Sequence, residues 1–394
     1  MPERKRALLI GTSFSAAPLL QALRDMGFEV AVCGKDPHDA CVSWADSYHA
    51  IDYSDADALA ALVDRERFDF LCPSCNDFGY LAAAQVAATH GFPGFDAPHA
   101  TRTLHDKAAF REFCARHSIR VPRAWTEVHA PAAIDAYPLL VKPTDSFSGR
   151  GMTLVREPAE MAAALDCARA ESRSRTAVVE EFIEGTLHSH SAFLHGRRIA
   201  SDYFVDEFCT VHPYQVNCSN APSLMDDAVR EQMRGHVERL GELLQLGDGL
   251  LHTQFLVRDG IAYVIECMRR CPGDLFYHLV SYSSGASYIE DYLRPFVGDT
   301  RVPVQGRGSE PWARHTVSLP RPAIVWSIEP RLACEQLQVF GLSPSGARIG
   351  PAPFDKAAIV FARLDGMAAL RDVTPRLAEL IHVHQEAQAH DSLR

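Results

Sequence analysis

Two apolar segments on either side of a short polar turn predict a β-hairpin in the second half of the chain. They cover residues 250–257 and 261–268, and both are rich in residue types that favour strands. The turn, residues 258–260, ends in a glycine that can adopt the positive φ that hairpin turns require. Because a hairpin assigns every side chain to one of two faces, its register decides which polar residues can act together.

The length of the turn decides what this hairpin presents. With a three-residue loop, Val257 faces Ile261, Gln254 faces Val264, and Glu266 lies two residues further along the same face. A two-residue turn would put Gln254 and Glu266 on opposite faces, because a shift of one residue turns every side chain over. We predict the longer loop, with Gln254 and Glu266 on a common face.

Further residues follow Glu266 on or beside this face of the hairpin. Met268 comes next, and then two arginines and a Pro-Gly-Asp turn that ends at Asp274. A carboxylate on a rigid strand beside cationic side chains suits a metal-bound polyphosphate. The hairpin by itself only suggests this chemistry.

The overall composition excludes several classes of protein. Of the 394 residues, 47% are hydrophobic and 23% are charged, as in globular proteins. A net charge of −11 argues against a nucleic-acid surface, and no apolar run reaches membrane-spanning length. Eleven cysteines are scattered without disulfide spacing, and the basic N-terminus is too short for a signal peptide, so we expect a cytoplasmic protein. The CxxC at 72–75 lacks further zinc ligands, and we interpret it as structural.

Residues 1–97 alternate strand and helix patterns and predict a Rossmann-like domain with a parallel, doubly wound sheet. The first strand is followed by Gly11-Thr-Ser-Phe-Ser and not by GxGxxG, so the dinucleotide-binding fingerprint is missing. Asn76 and Asp77 follow a later strand, at the end of such a sheet that usually faces a ligand. Capping of the next helix is the alternative role for either residue.

A strand ending at Lys142, a Ser/Gly-rich loop and a second strand make up residues 138–155. This order excludes a P-loop, whose lysine follows its glycines at the start of a helix. What remains is a β-hairpin flap whose backbone N–H groups can surround phosphate oxygens, with a plain glycine turn as the alternative.

Three later segments lead to weaker expectations. Residues 177–185 form an apolar strand that ends in carboxylates, and His188 and His190 then point to one side of a further strand. We suggest that residues 203–223, with their irregular mixture of polar side chains, form a loop that shapes an acceptor pocket. After residue 300 we expect a small α+β subdomain with no chemical motif of its own.

Five segments, in this order, resemble the motifs of the ATP-grasp superfamily: Asp106-Lys107, Val141-Lys142-Pro143, 148–152, 180–185 and 265–270. Biotin carboxylase, carbamoyl phosphate synthetase and amino-acid ligases are similar members. No single motif is specific, but the ordered set is. The resemblance implies a mixed α/β and α+β fold: a Rossmann-like domain (1–97), a two-lobed ATP-grasp domain (98–300, with a lid lobe at about 123–186) and a small C-terminal α+β subdomain (301–394).

The resemblance also implies site residues. The implied ATP-binding residues are Lys107, Lys142, Ser148, Gly149, Gly151, Glu180, Glu181, Phe182, Ile183 and His188. The lysines would contact phosphates, residues 180–183 would hold adenine, and His188 would contact the ribose. Glu266 and Gln254 would bind the metal, while Arg270 and Asp274 would be catalytic.

Two positions depart from the pattern of the superfamily. Gln254 replaces its first metal carboxylate, and Met268 replaces the usual Asn after Glu266. Gln still offers an oxygen, but a negative charge is lost and Met binds Mg²⁺ poorly. We suggest Asp274 or Glu181 as the source of the missing charge.

The resulting prediction is an ADP-forming ligase. It would use ATP and Mg²⁺, with Mn²⁺ as an alternative metal, to activate a carboxylate as an acyl phosphate for attack by an amine or thiol. The alternatives are a biotin-carboxylase-like enzyme that activates bicarbonate and a non-catalytic ATP-binding protein. The expected partners are a small-molecule carboxylate and an amine, without nucleic acid or membrane, and a homodimer is expected by analogy.

Overall fold

The computed structural model describes residues 4–125, 134, 136–146 and 149–387. Its strands are β1 (Arg6–Ile10), β2 (Glu29–Gly34), β3 (Ser47–Ala50), β4 (Phe70–Pro73), β5 (Ala124–Trp125), β6 (Leu139–Pro143), β7 (Thr153–Val155), β8 (Ala177–Glu181), β9 (Thr186–His195), β10 (Arg198–Phe208), β11 (Cys218–Ala221), β12 (Gly249–Arg258), β13 (Ile261–Met268), β14 (Trp312–Val317), β15 (Ala323–Pro330), β16 (Gln336–Gly341), β17 (Ala347–Ile349), β18 (Ala358–Arg363) and β19 (Ile381–Ala387). Its α-helices are α1 (Ala17–Asp25), α2 (Ala56–Glu66), α3 (Asp77–His90), α4 (Pro98–His105), α5 (Lys107–Arg116), α6 (Met161–Glu171), α7 (Asp227–Leu243), α8 (Phe276–Ser284), α9 (Tyr288–Leu293), α10 (Gly366–Val373) and α11 (Leu377–Leu380). In the part of the chain that the structure describes, no helix is both long and apolar enough to cross a membrane.

The N-terminal strands form a parallel sheet of order β3-β2-β1-β4, as the strand–helix alternation predicts. Its central strands are almost entirely buried, as expected when both faces of a parallel sheet are covered by helices. Asn76 caps α3 by accepting a hydrogen bond from the Gly79 amide, so the capping role holds for this residue. The loops after β1 and β4 leave the same end of the sheet and point towards the rest of the molecule.

A second four-stranded sheet lies in the segment predicted to be the lid lobe. Its order is β5-β8-β6-β7, all antiparallel, and α6 packs against it through Met161 and Leu165. The predicted flap connects β6 to β7, so Lys142 lies at the end of one flap strand.

The largest sheet is antiparallel and has eight strands in the order β13-β12-β9-β10-β11-β14-β18-β16. Helix α7 covers one face with a stripe of buried side chains: Val229, Met233, Val237 and Leu240. Three strands from beyond residue 300 extend this sheet, so the sheet continues across the predicted domain boundary at 300/301. The strands β17, β15 and β19 form a separate small sheet. The predicted mixed α/β and α+β fold class is confirmed.

The predicted three-residue loop of the central hairpin is wrong. Arg258 pairs directly with Ile261, so the turn has two residues, and both Asp259 and Gly260 have positive φ (53° and 72°). Such a turn matches the right-handed twist of the flanking strands.

A β-bulge nevertheless puts Gln254 and Glu266 on a common face. Phe255 pairs with Val264 but Gln254 pairs with Glu266, so Ile265 is an extra residue that shifts the register by one. The Ile265 carbonyl accepts a 2.7 Å hydrogen bond from Arg111 Nη2, which gives the bulge a buried polar partner. The shift of the bulge cancels the shift of the shorter turn.

Candidate functional site

The N-terminal sheet, the lid-lobe sheet and the eight-stranded sheet surround one cavity of about 1310 Å³. The N-terminal sheet contributes the loops after β1 and β4, the lid lobe contributes β6, β8 and the flap, and the eight-stranded sheet contributes one face. Lys107, Lys142, Glu266, Arg270 and Asp274 all line this cavity. The predicted phosphate, metal and catalytic residues are therefore brought together from segments up to 167 positions apart.

A row of polar side chains crosses the cavity face of the large sheet. The pairing of β13, β12, β9, β10, β11 and β14 puts the following residues on one face: Glu266, Gln254, Ser189, Glu207, Ser219 and Arg314. Four of them are almost completely buried. A buried polar row is costly unless its groups are hydrogen-bonded. Here Ser189 and Gln254 both donate to Glu207, and Arg314 donates to Ser219.

The two predicted phosphate-binding lysines approach the cavity from different elements. Lys107 begins α5, and its Nζ contacts the Ser146 carbonyl at 2.9 Å and Glu266 Oε1 at 3.3 Å. Lys142 lies at the end of β6, only 6% exposed, with its Nζ 2.5 Å from Glu180 Oε2. Each lysine thus has a carboxylate partner.

Glu180 lies between two cations. Its other oxygen is 3.0 Å from Arg111 Nε, and this arginine is four residues after Lys107 on the same helix face. Burial raises the pKa of the Glu180 carboxyl, but Arg111 and Lys142 together lower it by more. The pKa of Glu180 therefore lies below its ordinary value. Burial lowers the pKa of the Lys142 ammonium to about 8, and the neighbouring Arg111 adds to this effect, although Glu180 opposes it.

The predicted catalytic arginine, Arg270, is fixed by the N-terminal domain. Its Nε and Nη2 donate to the two carboxylate oxygens of Asp77 at 2.8 and 2.7 Å, a bidentate pair. Burial disfavours the charged guanidinium, but Asp77 more than offsets this and raises the pKa of Arg270 above its ordinary value. Asp77 therefore positions Arg270 and does more than begin a helix.

The predicted catalytic Asp274 contacts the C-terminal part of the chain. Its carboxylate forms an ion pair with Lys356 and accepts a 3.3 Å hydrogen bond from Thr316 Oγ1. Burial raises the pKa of Asp274, and Lys356 and Arg314 lower it by more, so the group is held ionised. Arg314 Nη1 also donates to the Asp274 carbonyl at 3.0 Å.

The predicted adenine segment and His188 also border the cavity. Residues 180–183 end β8 and begin the connection to β9, and the backbone N–H of Ile183 has no hydrogen-bond partner among the described residues. His188 Nδ1 lies 2.8 Å from Asp206 Oδ1 and its Nε2 lies 2.7 Å from Thr186 Oγ1. Both ring nitrogens of His188 are therefore occupied in this structure.

The flap glycines have different surroundings. Gly149 (φ 73°) lines the cavity, and a Cβ there would come within 3.1 Å of the Pro213 and Tyr214 backbone. Gly151 (φ 69°) packs against Pro143 and Glu171 and does not line the cavity. The predicted Ser148 lies outside the described residues.

The predicted metal ligands face each other. Gln254 and Glu266 are directly paired across β12 and β13, with Met268 on the same face. Among the described residues, no group of three or more His, Cys, Asp or Glu side chains is arranged to hold a metal. An oxygen donor pair such as this one fits Mg²⁺ that also binds phosphates and water, because Mg²⁺ needs few protein ligands.

Sequence reasoning missed several residues of this site and misassigned one segment. Residues 203–208 continue β10 and 218–221 form β11, so only the middle of the suggested acceptor loop is a loop. The C-terminal part, for which no chemical motif of its own was predicted, nevertheless contributes Arg314 and Lys356 to the lining of the cavity. The residues that were missed are Arg111, Arg314 and Lys356, whereas Asp77 and Glu207 lie in segments predicted to face a ligand and only their partners, Arg270 and Gln254, were not foreseen. Only Arg111 had a sequence signal, its spacing from Lys107 on one helix face.

Comparison with known proteins finds a matching domain family and several relatives. The model of the ATP-grasp domain family matches residues 104–273. The formate-dependent phosphoribosylglycinamide formyltransferase of Haloquadratum walsbyi is 29% identical over 309 residues, 75% of each chain. The enzyme of the same name from Erythrobacter litoralis is 27% identical over 192 residues, so the alignment covers 47% of this chain and spans only about half (49%) of that relative.

A solved structure shows the same architecture. The L-amino acid ligase from Bacillus licheniformis superposes with a TM-score of 0.79 over 98% of this chain and 100% of its own, at 16% identity. At that identity the likeness concerns the fold alone. The matched domain, the relatives and the architecture agree with the predicted resemblance: residues 104–273 match the ATP-grasp domain family, and the whole chain has the fold of an ATP-grasp ligase.

Proposed function

We propose that this protein uses MgATP to convert a small carboxylate into an acyl phosphate, which an amine or thiol then attacks, releasing ADP and phosphate. The observation that supports this most directly is the convergence of Lys107, Lys142, Glu266 and Arg270 on one cavity. Transfer of a phosphoryl group to a carboxylate brings two anions together, so the main task of the protein is positioning and charge neutralisation.

The lid side of the cavity provides the nucleotide site in this proposal. Lys107 and Lys142 exchange their carboxylate partners for phosphate oxygens, and Arg111 keeps Glu180 neutralised when Lys142 turns away. The unpaired N–H of Ile183 is available to a ring nitrogen of adenine. Contact of His188 with the ribose requires that Thr186 release its hydrogen bond to the imidazole.

Glu266 and the Gln254 amide oxygen are the protein ligands of Mg²⁺ in this proposal. When bound, the ion neutralises phosphate charge and orients the phosphoryl group for transfer.

The opposite end of the cavity is the proposed carboxylate and acceptor site. Arg270 and Arg314 offer guanidinium groups there, and Asp274 with Lys356 forms a charge pair that can contact a polar acceptor. Residues from the middle of the former loop segment, among them Cys209 and Gln215, also line the cavity. Arg270 is rigidly held, so it is suited to steady the anionic acyl phosphate.

The test is ADP release measured against a panel of small carboxylates and amino acids, each with ammonia, amines or thiols as acceptor. A ligase releases ADP only when both correct substrates are present. Release that depends on bicarbonate alone would favour the carboxylase alternative, and tight ATP binding without any release would favour a non-catalytic ATP-binding protein. An Arg270→Ala variant, which should lose ADP release but keep ATP binding, links the activity to this cavity.

A further inference from the structure

Glu207 is a buried carboxylate in the cavity wall whose function the proposed reaction leaves open. It is 5% exposed, and none of the described lysines, arginines or histidines forms an ion pair with it. Its oxygens accept hydrogen bonds from two neutral groups, Ser189 Oγ at 3.1 Å and Gln254 Nε2 at 2.9 Å. The charge of Arg314, further along the polar row, acts on this carboxylate without forming an ion pair with it. A buried carboxylate that accepts hydrogen bonds only from neutral groups is costly for stability, which indicates a role for Glu207 beyond packing.

The hydrogen bond between Glu207 and Gln254 fixes the orientation of the amide. A carboxylate only accepts hydrogen bonds, so the NH₂ group of Gln254 faces Glu207 and its oxygen is directed to the other side. Glu207 lies across β9 from Gln254, whereas Glu266 lies on the opposite neighbour, β13. The amide oxygen is thereby directed towards the side of the strand where the Glu266 carboxylate lies.

Position 254 holds a glutamine where the resemblance to the superfamily implies a metal-binding carboxylate. We propose that the missing negative charge is located on Glu207, and that this residue positions the Gln254 amide oxygen as the second ligand for Mg²⁺ beside Glu266. Glu207 is a positioning residue, because it acts through Gln254. This inference rests on the proposed function, and it replaces the earlier suggestion that Asp274 or Glu181 supplies the charge, since these two pair with Lys356 and Arg258.

The decisive experiment moves the charge between the two positions. Glu207→Gln gives position 207 an amide that can donate as well as accept, so Gln254 loses its fixed orientation. Loss of a residue that orients a metal ligand weakens metal binding by roughly 10–100-fold. Gln254→Glu alone places two carboxylates within hydrogen-bond distance and should not improve binding. The double variant Glu207→Gln with Gln254→Glu restores one carboxylate and one amide in hydrogen-bond contact, and should recover most of the lost affinity.

The readout is the affinity for Mn²⁺ in the presence of ADP, measured by electron paramagnetic resonance. Neither a carboxylate substrate nor an acceptor is added. Glu310→Gln is the matched control, because this exposed glutamate pairs with Arg363 outside the cavity. Thermal unfolding of each variant checks that the fold is retained. Unchanged Mn²⁺ binding in Glu207→Gln, or a double variant as weak as that single one, overturns the inference while wild-type MnADP binding still supports the proposed function. Failure of the wild type to bind ADP with or without Mn²⁺ overturns both.

Discussion

Binding of ATP should weaken above about pH 8, because one of the proposed phosphate ligands loses its charge there. Burial lowers the pKa of Lys142 to about 8, with Arg111 adding to the effect and Glu180 opposing it. A bound phosphate requires the ammonium form, so the apparent Kd equals the intrinsic Kd divided by the charged fraction. With a pKa of about 8, that fraction falls from roughly nine tenths at pH 7 to roughly one tenth at pH 9.

The apparent Kd for ATP should therefore rise by about tenfold between pH 7 and pH 9. The direction follows from the sign of the shift: the folded-state pKa is lowered, so the cation is lost at a lower pH than for a free lysine. Isothermal titration calorimetry with a non-hydrolysable ATP analogue at constant Mg²⁺ measures the effect. Lys142→Arg is the control, because a guanidinium does not titrate in this range and its pH dependence should be flat. A wild-type Kd that stays constant from pH 7 to pH 9, or an equal rise in Lys142→Arg, would refute the reasoning.

Two further substitutions test the acceptor end of the cavity. Asp77→Asn removes the charge that holds Arg270 in its bidentate pair. We expect kcat to fall by roughly 10–100-fold while KM for ATP stays the same. An unchanged kcat would show that Arg270 does not depend on Asp77. Lys356→Met removes the ion-pair partner of Asp274. KM for the carboxylate or acceptor should rise by about 5–150-fold, the equivalent of roughly 1–3 kcal/mol. ATP binding should not change. Lys35→Met is its control, since the exposed pair with Asp52 lies outside the cavity, and a KM in Lys356→Met equal to that of the control would contradict the assignment.

The sequence by itself determined the parts of this protein that depend on local pattern. Alternating apolar segments predicted the N-terminal parallel sheet, and the order of short motifs predicted the ATP-grasp fold. The order of Lys142 and the flap glycines along the chain was enough to exclude a P-loop. These inferences succeeded because hydrophobic period, turn residues and motif order are properties of neighbouring positions.

The tertiary structure decided the register and the partners. The bulge at Ile265 has no signal in the sequence, because an extra apolar residue in a strand looks like any other. Its shift of one residue nevertheless offsets the shift caused by the two-residue turn, and it puts Gln254 opposite Glu266. Glu207 and Arg314 reach the cavity only because β10, β11 and β14 pair across long separations in the chain. Such pairings result from many small contacts summed over the whole sheet, so no short stretch of sequence specifies them.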